Sequence, residues 1–122
     1  MGGNGSFASG STNSEVGRAY KTIAVIGEIQ VIQKKNPKDS NKLPEESHTP
    51  NRIYATIRKD GKDVGSIAKY GPDGKKIWEI HTGSHDGISP HYHKWNNGQQ
   101  EKTAHHLTEI MKEILEKVRN FN

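Results

Sequence analysis

Cysteine is absent from the 122 residues of this chain, and apolar residues are scarce. Without cysteine there can be no disulfide framework and no thiolate site for zinc or an iron–sulfur cluster. Hydrophobic residues make up 30% of the chain and the mean hydropathy is -0.94, so only a small core can form. No apolar run approaches the roughly 18 residues of a membrane-spanning helix. We therefore expect one small domain without a membrane span.

The motifs of several familiar enzyme classes are also missing. The chain has no P-loop, no G-x-S-x-G, no H-E-x-x-H and no zinc-deaminase pattern. These absences exclude the usual NTPases, α/β-hydrolases, zincins and zinc deaminases, but they leave unfamiliar nucleases open. The net charge of +4 suits a polyanionic partner such as RNA or DNA, and it suits simple solubility equally well.

The N-terminal segment is rich in glycine, serine and asparagine. This composition predicts a flexible linker over residues 1–18, and the segment has neither the basic start nor the apolar stretch of a signal peptide. We expect residues 19–122 to form a single domain. The arrangement suits a module cut from the C-terminus of a longer protein, although an expression scar would look similar.

The middle of the chain predicts an antiparallel sheet. The predicted strands lie at 20–35 (one or two strands), 52–59, 64–70 and 75–81. Gly27 reads as a bulge or bend, and Asp60-Gly61 and residues 71–74 read as tight turns. Short connections between consecutive strands predict a meander. The polar segment 36–51 is expected to be a long loop.

The last predicted element is a helix over roughly 101–120. Its apolar residues recur at i, i+3, i+4, i+7, i+8 and i+11, which places them in one stripe along a helix. The stripe consists of Leu107, Ile110, Met111, Ile114, Leu115 and Val118. We expect it to cover one face of the sheet. The predicted class is α+β: an antiparallel sheet of about four strands with a long C-terminal helix packed on one face.

Histidines are concentrated in one short segment. Four of the seven in the chain lie within "HTGSHDGISPHYHKW", residues 81–95. Strand parity puts Trp78 and Ile80 on one face of the strand 75–81, and Glu79 and His81 on the other. We expect the first face to pack against the helix and the second to be open to solvent.

Imidazoles beside a carboxylate and cations are the groups that metal-independent RNA cleavage needs. A general base takes the proton of the 2′-hydroxyl, a general acid protonates the 5′-oxygen, and a cation stabilises the phosphorane. Histidine suits both proton transfers near neutral pH. We expect His81 or His91 as the base and His93 as the acid, with Glu79 beside them. The expected substrate contacts are Arg58, Lys69 and Lys94 for phosphate, and Tyr92 and Trp95 for base stacking.

Other interpretations of the same residues stay open. The His-x-His pair together with His81, or with His85 and Asp86, could hold Zn²⁺ or another transition metal, which would make the domain a metal-dependent nuclease. A non-enzymatic His-rich binding module is a further alternative. Glu79 could be a salt-bridge partner of a neighbouring strand. In the leading interpretation no metal or cofactor is needed, and His85 and Asp86 are additional site candidates.

Residues 51–98 resemble the C-terminal toxin domains of bacterial polymorphic toxins and related prophage proteins. The resemblance rests on "Y-x-x-x-G-K", then a Gly/His segment, then "P-H-x-H-x-W-x-N-G". Several such domains belong to the barnase–EndoU–colicin–RelE-like group of metal-independent ribonucleases, in which a helix packs with an antiparallel sheet. Here the acidic residue follows the histidine in "SHDG", whereas that pattern would place it before. The resemblance marks His81, His85, His91 and His93, with Trp95 and Asn97-Gly98 closing the motif.

The resemblance also implies a biological setting. Such domains are delivered at the C-terminus of large secreted proteins and act in the cytoplasm of a target cell. The producer is protected by an immunity protein, usually an acidic one that covers the basic active-site face. RNA and a cognate acidic immunity protein are therefore the expected partners, and the free domain is expected to be a monomer.

Overall fold

The computed structural model describes residues 20–35, 42–44, 46–47, 50–58 and 63–121. The predicted linker at 1–18 and the predicted turn at Asp60-Gly61 lie outside these ranges. The described residues form seven strands and one helix: β1 (Tyr20–Ile26), β2 (Ile29–Lys34), β3 (Ile53–Ile57), β4 (Val64–Tyr70), β5 (Lys76–His81), β6 (His91–Asn96), β7 (Gln99–Gln100) and α1 (Glu109–Asn120).

The strands form one sheet in chain order, β1 to β7. Neighbouring strands are antiparallel except β2 and β3, which are parallel. The predicted α+β class is confirmed, but the sheet has seven strands, not about four. Parallel neighbours need a long crossover connection. That requirement accounts for the long polar segment between β2 and β3.

Two tight turns account for strands that the sequence analysis did not resolve. Gly27 lies between β1 and β2 with φ +59°, so it is a turn residue of a hairpin. Asn97 and Gly98 join β6 to β7 with φ of 51° and 79°. Positive φ at both central residues is the signature of a type I′ hairpin turn, which Asn-Gly favours.

The helix is shorter than its apolar stripe predicts. It begins at Glu109, where the Thr108 side chain caps it by accepting a hydrogen bond from the Met111 amide at 3.2 Å. The segment before it is pinned to the sheet, because His105 and Tyr92 exchange two backbone hydrogen bonds of 2.9 and 3.0 Å. The predicted start at 101 is therefore wrong, and Ile110, assigned to the apolar stripe, is 68% exposed.

One face of the sheet forms the main core with the helix. Ile80 is fully buried there, and Trp78 and Tyr92 pack at its margin. The prediction that the Trp78/Ile80 face meets the helix is confirmed. Apart from these three, the main apolar contributors are Ile29, Val31, Ile53, Ala55 and Ile67 of the sheet and Leu107, Met111, Ile114, Leu115 and Val118 of the C-terminal segment.

The opposite face is covered over its central strands. Tyr54 and Tyr70 are fully buried and meet edge-on, with ring centroids 5.3 Å apart. Leu43 joins their cluster, and the Tyr70 hydroxyl donates to the Pro44 carbonyl. The expectation of an open face is therefore wrong across β3 and β4, because part of the crossover segment lies on it. Partial exposure on this face remains toward β5 and β6.

Candidate functional site

The register of two neighbouring strands brings the predicted histidines together. His81 of β5 pairs with His91 of β6, and Glu79 pairs with His93. Directly opposed residues of antiparallel strands share a face. All four side chains therefore lie on the face opposite the helix.

The rings of His81 and His85 each lie close to the rings of both His91 and His93. The ring centroids of His81 and His91 are 5.6 Å apart, and those of His91 and His93 are 5.0 Å apart. His85 lies 5.5 Å from His91 and 5.0 Å from His93. The four rings are called the histidine cluster below. The segment 81–95 thus gathers its histidines at one place.

A tight turn carries His85 back over β6. His85 and Ile88 exchange backbone hydrogen bonds of 3.1 and 3.0 Å, and the two residues between them, Asp86 and Gly87, have φ of 53° and 78°. Asp-Gly is a preferred sequence for such a turn. The Asp86 carboxylate is 78% exposed and lies 3.4 Å from Nε2 of His85. Asp86 thus shapes the turn and lies at the outer side of the cluster.

Burial divides the cluster into two pairs. His91 and His93 are buried, with exposures of 5% and 2%, whereas the side chains of His81 and His85 are 36% and 42% exposed. Nδ1 of His91 lies 2.8 Å from the Gly83 carbonyl oxygen. In a neutral ring Nδ1 must be the donor of that hydrogen bond, so Nε2 keeps its lone pair. Nδ1 of His93 is buried with no hydrogen-bond partner among the described residues.

Two rings of the cluster, those of His81 and His91, have lowered pKa values. Burial lowers the pKa of His81, and this effect exceeds the opposing influence of the Glu79 carboxylate. Burial also lowers the pKa of His91, assisted by His93 and His85, although the hydrogen bond to Gly83 opposes it. Neutral imidazoles can accept a proton or bind a metal ion, but they cannot serve as fixed cations.

A buried ion pair lies beside the cluster. Nζ of Lys76 is 3.1 Å from Oε1 of Glu79, and both side chains are buried. They share a face because the β4–β5 register shifts at Ile77, which is left without a paired residue. The Lys76 ammonium also lies 4.4 Å from the Trp95 ring centroid. Oε2 of Glu79 is 3.8 Å from Nε2 of His81. The salt-bridge partner of Glu79 is thus on its own strand.

Several predicted substrate contacts lie elsewhere. Lys69 and Lys94 both pair with Trp78, which puts them on the helix side of the sheet. Tyr92 is on that side too, stacked on His105 with centroids 5.1 Å apart. The prediction that these three residues lie beside the histidines is therefore wrong, because strand pairing puts them on the other face. The guanidinium of Arg58 donates to Oγ1 of Thr82 at 3.1 Å, immediately after His81 in the chain.

Trp95 lies on the same face as the histidines, two residues beyond His93. It borders an open depression of about 410 Å³ at the β6–β7 hairpin. The other lining residues are Lys94, Asn96, Gln99, Gln100 and Glu101. An indole bordered by amide side chains is a suitable surface for stacking a nucleobase.

Three of the four histidines also have the spacing of a metal centre. One ring nitrogen from each of His85, His91 and His93 lies within 4.8 Å of the other two. Nitrogens bound to one tetrahedral zinc ion at 2.0–2.1 Å are about 3.4 Å apart. Small side-chain rotations would therefore complete the triad. His81 is not part of this set.

No protein-family model, no curated protein and no solved structure matches the chain. Within the described ranges, no helix has the length and apolar character needed to cross a membrane.

Proposed function

We propose that this domain cleaves RNA at the histidine cluster. The observation that carries the proposal is the contact of four imidazoles on one face of β5 and β6, two of them accessible from solvent. Attack of the 2′-hydroxyl on the adjacent phosphate needs one group that accepts a proton and one that donates it. The products are a 2′,3′-cyclic phosphate and a free 5′-hydroxyl.

Exposure decides which rings contact the substrate in this proposal. His81 and His85 reach solvent, so we assign His81 as the general base and His85 as the general acid. His91 and His93 are buried and hold the exposed pair in place from beneath. The sequence suggested His81 or His91 as the base and His93 as the acid, so this proposal keeps His81 and replaces His93 with His85.

Two further groups are available to bind RNA. Arg58, held on Thr82 beside His81, is the candidate for contacting the phosphate. Trp95 and the depression that it borders are the candidates for stacking a base. Lys69 has no role in this arrangement, because it lies on the other face of the sheet. Lys94 starts from that face as well, but it lines the depression beside Trp95.

The biological role belongs to the same proposal. The resemblance of residues 51–98 to bacterial toxin domains supports a secreted effector that acts in the cytoplasm of a target cell. The net charge of +4 suits RNA as substrate and an acidic immunity protein as inhibitor. Expression of the domain alone in bacteria should then arrest growth, and co-expression of a cognate acidic protein should relieve the arrest.

The direct test incubates the full chain with total RNA, with and without EDTA. We expect cleavage in both conditions, with 2′,3′-cyclic phosphate ends on the products. His81→Gln and His85→Gln should each reduce the rate by about 10²–10⁴-fold, as loss of a proton-transfer group does. His106→Gln is the matched control, because His106 is an exposed histidine before the helix, outside the cluster. It should cleave like the wild type.

Other outcomes separate the alternatives. Cleavage that disappears with EDTA would indicate a metal-dependent nuclease, which the close spacing of three histidine nitrogens favours as the second candidate. If neither cleavage nor growth arrest is observed, a non-enzymatic binding module is the remaining interpretation. Full activity in both His81→Gln and His85→Gln would remove the cluster from the mechanism.

A further inference from the structure

We propose that His85, His91 and His93 form a binding site for one divalent transition-metal ion, such as Zn²⁺. One nitrogen from each ring lies within 4.8 Å of the other two, close to the spacing of a three-histidine centre. The inference rests on these side chains alone. It does not require that the domain cleaves RNA.

The donor set determines which ions fit. Three imidazole nitrogens suit Zn²⁺, Co²⁺, Ni²⁺ and Cu²⁺, whereas Mg²⁺ and Ca²⁺ prefer oxygen ligands. The nearest carboxylates do not complete an oxygen-rich site. Glu79 is held by Lys76 at 3.1 Å, and the Asp86 carboxylate is largely exposed at the outer edge. Selectivity for transition metals over Mg²⁺ follows.

The ring of His91 is already oriented for binding an ion. Its Nδ1 lies 2.8 Å from the Gly83 carbonyl oxygen, which places the hydrogen on Nδ1 in the neutral ring. The lone pair of Nε2 is then left to bind the metal ion. Metal-binding histidines usually have such a second hydrogen bond, which fixes the tautomer and the ring orientation. The loop that supplies this carbonyl also supplies His85.

The ring of His93 provides an independent observation. The residue is 2% exposed, and its Nδ1 has no hydrogen-bond partner among the described residues. A buried polar nitrogen without a partner is unfavourable, and coordination by the triad would remove that cost by direct binding or by rotation of the ring. The exposed side of His85 gives a fourth ligand access from solvent.

If the domain is the proposed ribonuclease, metal binding regulates it. His85 would be both a metal ligand and the general acid, and it cannot fill both roles at once. Zinc should then suppress the cleavage that persists in EDTA. This regulatory consequence rests on the proposed function, whereas the binding site itself does not.

The test is calorimetric titration of Zn²⁺ into the metal-free full chain at pH 7.5, paired with the absorption spectrum of the Co²⁺ complex. We expect one equivalent of either ion to bind, with cobalt bands typical of nitrogen ligands at low coordination number. His85→Gln and His91→Gln should each weaken binding by about 100-fold or more, since even outer-shell changes cost about 10–100-fold. His106→Gln should bind like the wild type.

His85→Gln is the decisive variant because His85 lies in a surface turn and its loss should leave the fold intact, which circular dichroism checks. Absence of binding at millimolar Zn²⁺, or equal affinity in the wild type and His85→Gln, would overturn the proposal. Binding without any RNA cleavage would support the metal site and reject the ribonuclease. Cleavage of RNA without binding of Zn²⁺ would support the ribonuclease and reject the metal site.

Discussion

The two faces of the β5–β6 pair bury side chains to a similar depth by different means. Ile80, on the helix side, is 0% exposed, and His93, on the other side, is 2% exposed. Ile80 packs among aliphatic residues of the sheet and helix. His93 packs among three other imidazoles and lies opposite the Glu79–Lys76 pair on the neighbouring strand.

The two faces should respond differently to substitution. An apolar face loses stability in proportion to the contacts removed. A buried polar network depends on each partner, because a charge or nitrogen left alone in a low-dielectric interior is costly. Apolar residues buried on both faces would give the fold similar or greater stability. The polar face is therefore the part of the molecule where a chemical role is expected.

The largest expected effect comes from breaking the ion pair on the histidine face. Glu79→Gln removes the carboxylate that lies 3.1 Å from the buried Lys76 ammonium, and we expect a loss of about 3–5 kcal/mol in the free energy of unfolding. Urea denaturation at pH 7 measures it. The double variant Lys76→Met with Glu79→Leu should recover much of the loss, because the buried ammonium is then removed together with the carboxylate.

Additivity is the result that would contradict this interpretation. If the double variant loses as much as the single variants Lys76→Met and Glu79→Leu lose when summed, Lys76 and Glu79 do not act as a pair.

A smaller loss, about 2–4 kcal/mol, is expected from Ile80→Ala on the helix face, because it leaves a cavity in the main core. Ile110→Ala is the matched control. The sequence pattern assigns Ile110 to the core as well, but the residue is 68% exposed and alanine favours helix, so the change should stay within about 0.5 kcal/mol. Equal losses in the two variants would mean that the helix lies differently on the sheet.

Local periodicity predicted one face of the sheet well. The prediction that Trp78 and Ile80 meet the helix was correct, because strand parity needs no long-range information. The same rule could have placed Tyr92 and Lys94 opposite His91 and His93, since all four alternate along one strand, and ignoring it misplaced two substrate contacts. The face on which Lys69 lies could not be predicted so simply, because the register between β4 and β5 shifts at Ile77.

The features that were not predicted from the sequence were missed for different physical reasons. The turns at Asp86-Gly87 and Asn97-Gly98 carry type I′ sequences, so the position of His85 and the β6–β7 hairpin were within reach of the sequence. The helix start was not, because the backbone bridge between His105 and Tyr92 overrides a pattern of apolar spacing. The buried partner of Glu79 depends on a bulge that no local pattern indicates.

The smallest expected effect concerns an ion pair on the helix side. The Arg119 guanidinium near the end of α1 donates two hydrogen bonds to the Asp63 carboxylate, at 3.0 and 3.3 Å, and the side chains are 36% and 28% exposed. Asp63→Asn should therefore cost only about 0.5–1 kcal/mol at pH 7. Glu113→Gln on the same helix is the control and should cost less.

The pH dependence tests whether Asp63 stabilises the protein through its charge. The hydrogen bond from Arg119 lowers the pKa of Asp63, so the folded state binds its proton less readily than the unfolded chain does. The stabilisation is therefore complete above the unfolded pKa of about 3.9 and is lost as the pH falls through the lower folded pKa. Wild type and Asp63→Asn should differ in urea midpoint at pH 7 and converge toward pH 2. A difference that persists at low pH would mean that Asp63 does not stabilise the protein through its charge.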